Sequence, residues 1–125
     1  MTWTLAQVAL GGALGATCRY LTGIAATRVM GHGFPWGTLA VNIAGSFLMG
    51  ALVVVLAEKG GTRFAPFLMT GLLGGFTTFS AFSLDAITLF ERGQHGIAAG
   101  YVGASVVLSL LAISLGLVAA RGVFA

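Results

Sequence analysis

The sequence predicts an all-α integral membrane protein of four transmembrane helices, the third of them broken. Three observations lead there. Of 125 residues, 58% are hydrophobic and only 7% are charged, against roughly 25% charged in an ordinary soluble domain; the mean hydropathy is +1.01. The apolar residues form four long runs separated by short turns, each near the ~20 residues that a helix needs to cross the hydrocarbon core. The third run is interrupted by Gly71–Ser83, GLLGGFTTFSAFS, whose glycines and hydroxyl side chains suit a plain lipid-facing helix poorly. Gly costs a helix interior about 0.8–1.0 kcal/mol relative to Ala, so the Gly74-Gly75 pair is expected to let the chain leave helical geometry there. In a bilayer an unwound turn persists only where its backbone groups find partners, and broken helices are where membrane proteins commonly place ion sites.

In chain order, the single four-helix transmembrane domain spans 1–125, with helices at roughly 4–28, 36–57, 64–90 and 97–120. Gly31, Gly33 and Pro35 mark the first turn, Glu58-Lys59-Gly60-Gly61 the second, and Glu91–Gly96 the third. Trp3, Trp36 and Tyr101 lie near span ends, where interfacial anchoring is their simplest role. The N-terminus has no basic region or small-residue cleavage site of the signal-peptide kind, so the first run reads as a retained helix. Small residues recur every four positions at Gly11/Gly15, Gly71/Gly75 and Gly96/Gly100/Ala104, faces that let helix backbones approach closely, within one chain or between two.

Charge excludes several classes. The basic residues form no run of the kind that binds nucleic acid, and Cys18, His32 and His95 are not spaced as a metal cluster. No nucleophile sits beside a base, so the chain is not expected to be an enzyme. With four crossings, Lys59, Arg63 and Arg121 fall on one side and Arg28 and Arg92 on the other. Orientation follows Lys/Arg asymmetry in short loops; here it nearly vanishes, so the chain is expected to insert both ways up. Four short helices do not easily enclose a polar pathway alone, which makes an antiparallel, dual-topology homodimer the natural assembly.

Several side chains are candidates for lining such a pathway. Arg19 lies about ten residues, or roughly 15 Å, inside the first run; it either faces a cavity or ends the span at the interface. Asn42 can donate to an anion or bond a neighbouring helix. Phe76, Phe79 and Phe82 recur every three residues, a spacing that serves packing, yet Thr77, Thr78, Ser80 and Ser83 interleave. Aromatic ring edges carry partial positive charge and can meet an anion that has shed water. Tyr101, Ser105 and Ser109 fall at i, i+4 and i+8, one helical stripe, although single serines in membrane helices often bond back to their own i−4 carbonyl.

Over nearly its whole length the chain resembles the Fluc (CrcB) fluoride channel family. The matching stretches are GALGATCRY, PWGTLAVNIAGSFLMG from Pro35 and GLLGGFTTFSAFS from Gly71, the last being the most specific. The resemblance implies a dual-topology antiparallel homodimer in the inner membrane of a prokaryote, passively exporting fluoride that weak-acid entry has trapped inside. It implies that Phe79 and Phe82 meet fluoride by their ring edges and that Asn42 faces the pore. Tyr101, Ser105 and Ser109 would form the polar track of the fourth helix, with Arg19 near the aqueous vestibule. It further implies a structural Na+ on the dimer axis, held by backbone carbonyls of Gly74 and Thr77. The competing reading is a small multidrug-resistance-like, proton-coupled exporter, which shares length and topology. Such a carrier needs a membrane-embedded carboxylate, and no Asp or Glu precedes Glu58.

Overall fold

A computed structural model describes residues 1–124, and among them the chain is helical with no strand. Helix α1 covers Thr2–Met30 and α2 covers Trp36–Lys59. The third segment opens with a 3-10 turn at Thr62–Phe64 and continues as a π-helical run, Pro66–Leu73. A last helical turn, α3, covers Gly74–Phe76; α4 covers Ser80–Glu91 and α5 covers His95–Phe124. The turns after α1 and α2 need glycine, since Gly31 and Gly60 take φ of 85° and 82°.

Three of these segments, Trp36–Lys59, Thr62–Glu91 and His95–Val123, are long and apolar enough to cross a membrane. Helix α1 has the length, 29 residues or about 43 Å at 1.5 Å per residue. Gln7, Arg19 and its threonines leave it less apolar than the other three. Much of the apolar surface faces outward: Leu10 is 62% exposed, Leu84 68% and Leu115 60%. Surface of that kind belongs against lipid or another chain rather than water.

The interior is built by glycine. Helix α1 and the third segment run side by side in the same direction along a stripe with four-residue spacing, Gln7, Gly11, Gly15 and Arg19. A Cβ at Gly11 would lie 2.8 Å from Leu72 N, and one at Gly15 would lie 2.8 Å from Phe76 N and overlap Leu72 O. Gly75 reciprocates against Gly12, where a Cβ would meet Gly12 O at 2.8 Å. Helices α2 and α5 cross equally closely, with Gly116 against Phe47 and Ala51 and Gly50 against Ile113. The Gly11/Gly15 and Gly71/Gly75 faces therefore pack within the chain, whereas Gly96 and Gly100 have open space before them. A small core of Leu39, Ala86, Leu89, Ala98 and Tyr101, flanked by Phe34, Ile43 and Phe82, joins α2, α4 and α5.

The break does not fall where the glycine pair predicts. Gly74 keeps helical dihedrals (φ −62°, ψ −39°), and the chain turns extended at Thr77 (φ −86°, ψ 163°). Gly74 and Gly75 stay in α3, where Gly75 serves close packing on α1; the interruption is held instead by side chains from α1 and α2.

Candidate functional site

A continuous helix through the third segment would have Thr78 N–H donate to Gly74 O and Ala81 N–H donate to Thr77 O. Both donors go elsewhere. Thr78 N–H donates to Asn42 Oδ1 at 2.8 Å, and Ala81 N–H donates to Thr78 Oγ1 at 3.1 Å. The carbonyls of Gly74 and Thr77 are thereby released from the helical ladder. Other groups at the break are tied down. Asn42 Nδ2 donates to Thr78 O at 2.9 Å, Arg19 Nε donates to Gly75 O at 3.1 Å, and Ser83 Oγ donates to Phe79 O at 3.0 Å.

Beside this break lies a cavity of about 490 Å³ whose lining brings together Asn42, Gly74, Thr77, Phe79, Phe82, Ser105 and Ser109. Phe79 is 78% exposed, and its ring centroid is 5.5 Å from that of Phe82. The aromatic series continues through Tyr101, 5.3 Å from Phe82, to Phe34, 5.4 Å further on and edge-on. Ser105 Oγ is buried with no hydrogen-bond partner among the described residues. It forgoes the back-bond that Ser114 makes to Leu110 O at 2.8 Å. Ser105 lines the cavity with its hydroxyl enclosed, the Tyr101 hydroxyl being its polar neighbour. Asn42 spends one amide N–H on Thr78 and keeps a second.

Two candidates sit apart from this group. Tyr101 is fully buried and its hydroxyl donates to Asp85 Oδ2 at 3.2 Å, so it meets the series through its ring. Arg19 borders a different cavity, about 500 Å³, with Tyr20, Thr27, Arg28, Thr38 and Thr78. Its Nε is committed to Gly75 O, and the rest of its guanidinium remains a cationic donor set between the break and Arg28. Among the described residues no three His, Cys, Asp or Glu side chains converge as a metal site.

Gln7 escaped the sequence reading. It is 4% exposed, and its amide donates from Nε2 to Arg63 O at 3.0 Å and accepts Phe67 N–H at Oε1 at 3.3 Å. The available signal was its position four residues before Gly11 on the Gly11/Gly15/Arg19 stripe.

Residues 6–117 match the sequence model of the family described as "CrcB-like protein, Camphor Resistance (CrcB)". The chain belongs to the CrcB family. Its relatives include the "Fluoride-specific ion channel FluC" of Cereibacter sphaeroides, 66% identical over 122 residues, which covers 98% of each chain. The protein of the same description from Ruegeria sp. is 62% identical over 124 residues, again 98% of each, and that from Paracoccus denitrificans is 59% identical over the full length of both. The CrcB match thus takes in every candidate at the break and along α5.

Proposed function

We propose that this chain is the subunit of a fluoride-selective channel that lets fluoride leave the cell passively. The observation that carries the reading is the cavity beside the break, whose lining brings Phe79 and Phe82 together with Asn42, Ser105 and Ser109. Full-length relatives described as fluoride channels support it.

The chemistry follows from what fluoride needs. A small anion with tightly held water enters a narrow path only if donors replace that water as it is lost. Ser105 O–H, the second amide N–H of Asn42 and the hydroxyl of Ser109 are such donors, and the edges of Phe79 and Phe82 supply weaker positive potential between them. Larger halides gain less from short hydrogen bonds and fit the same space worse. Arg19 and Arg28 raise the local anion concentration at one mouth.

The assembly belongs to this proposal. Four crossings, with α1 as the fourth, and two subunits in opposite orientations would cover the exposed Phe79 and complete the wall of the path. The released carbonyls of Gly74 and Thr77 suit a hard monovalent cation. Paired across a two-fold axis they would hold Na+, whose bound charge satisfies backbone oxygen that lipid cannot. The protein is read as multi-pass in a prokaryotic inner membrane. The exporter alternative gains nothing from the geometry: no acid precedes Glu58, and Asp85 accepts the Tyr101 hydroxyl.

Expression in a bacterium stripped of its own fluoride export tests the reading in cells. The fluoride concentration that halts growth should rise several-fold, with no change in tolerance to cationic dyes. Dye tolerance without fluoride tolerance would favour the exporter.

A further inference from the structure

Gln7 sits at an unusual place in the backbone of the third segment. Arg63 O and Phe67 N–H are four residues apart, the pair that one α-helical hydrogen bond would join. The Gln7 amide stands between them, donating to the first and accepting from the second. A side chain inserted into the i→i−4 ladder opens the turn. Pro66, inside that turn, has no N–H with which to close it another way. From Pro66, within the opened step, the chain runs as a π-helix, Pro66–Leu73, with hydrogen bonds reaching one residue further than in an α-helix. Downstream, Thr77 leaves helical dihedrals and the Gly74 and Thr77 carbonyls come free.

Between those points the segment has little freedom to drift. Gly11 and Gly15 press it against α1 so closely that no Cβ fits, and Arg19 holds it again at Gly75 O. All four contacts stand on one stripe of α1. The rotational setting made at Arg63–Phe67 is therefore carried along the contact to the break.

We propose that Gln7 is a positioning residue for the break: by wedging open the Arg63–Phe67 step it selects the π-helical register, and that register decides the face on which the Gly74 and Thr77 carbonyls emerge. It touches neither the path nor the released carbonyls. It acts only through the segment. The consequence for a cation held there rests on the function proposed above; the conformational claim does not.

The test is made on the full-length protein in lipid bilayers, with ¹³C-labelled carbonyls read by solid-state NMR in wild type and in Gln7→Met. The substitution keeps the side chain's length and removes both hydrogen-bonding groups. The expected result is that the Gly74 and Thr77 carbonyl resonances move although both lie remote from the substitution, while α2 and α5 resonances stay in place. Resonances unchanged at Gly74 and Thr77, with changes confined to Arg63–Phe67, would overturn the proposal. If Gln7→Met fails to assemble, Gln7→Asn decides by the same readout, since its amide is one methylene too short to span both groups. A second measurement titrates Na+ during fluoride flux. The half-saturating Na+ concentration should rise about ten-fold in the Gln7 variant, with flux recovered at saturating Na+. An unchanged midpoint contradicts the proposal. Wild-type protein passing no fluoride would refute the channel reading and leave the NMR result to judge Gln7.

Discussion

The amide of Asn42 clasps the main chain of Thr78 at both ends, Nδ2 to the carbonyl at 2.9 Å and Oδ1 to the N–H at 2.8 Å. That pairing does for the interrupted segment what a neighbouring strand does in a sheet. It satisfies the main chain of a residue that has left the helix. Asn42→Leu keeps the branched outline of the side chain and removes both bonds, leaving two backbone groups unpaired at about 1–3 kcal/mol each. The variant should lose several degrees of thermal stability in detergent and at least ten-fold in fluoride flux. Wild-type melting would mean that other groups close the break.

Ser105 gives a prediction of opposite sign for stability. Its hydroxyl is buried and unpartnered, and exchanging an unsatisfied polar group for an apolar one is neutral or stabilising, by up to about 1 kcal/mol. Ser105→Ala should melt no lower than wild type and yet conduct fluoride at least ten-fold more slowly. A stability loss together with unchanged flux would assign Ser105 to packing.

How far the sequence discloses this arrangement depends on the kind of interaction. The apolar runs and the interruption are local facts of composition, and so are the Phe79/Phe82 spacing and the Tyr101/Ser105/Ser109 stripe. The residue at which the helix breaks is not. Gly74 and Gly75 look like the weak point, but close packing of Gly75 on Gly12 keeps them helical, and the break moves to Thr77, next to the Thr78 main chain that Asn42 holds. Gln7 could not be recognised because its partners are main-chain atoms 56 and 60 residues away. The role of Arg19 was open for the same reason: only the fold brings Gly75 O to it.

The glycine contacts separate two substitutions that look alike in sequence. A Cβ at Gly15 overlaps Leu72 O, whereas one at Gly103 meets nothing within 4 Å. Gly15→Ala should destabilise by about 1–3 kcal/mol, as overpacking does. Gly103→Ala should be neutral or stabilising by about 0.5–1 kcal/mol, the usual gain on removing a mid-helix glycine. Thermal unfolding of the two variants in the same detergent checks this; equal melting temperatures would deny the close α1 contact.

Dual insertion can be read from the loop after α2. With Lys/Arg bias nearly absent, Lys59→Cys in an otherwise cysteine-free chain (Cys18→Ala) should react with impermeant maleimide from both faces of intact membranes, about half from each. Labelling from one face alone would exclude subunits in opposite orientations.

Phe79 and Phe82 bear on the claim that ring edges, beyond apolar bulk, carry the anion. Phe79→Ile and Phe82→Ile keep apolar bulk at each position and lose the quadrupole. Each should cut fluoride flux by ten-fold or more while the protein assembles normally. Wild-type flux in both would return the pair to packing.

The account stands or falls on what the purified wild-type protein conducts. In liposomes loaded with equal potassium fluoride and potassium chloride, made permeable to K+ with valinomycin and held without a pH gradient, a fluoride electrode should record rapid efflux down the gradient. A chloride electrode should record almost none. Comparable fluxes of the two anions, or fluoride efflux that begins only when a proton gradient is imposed, would contradict a passive fluoride channel.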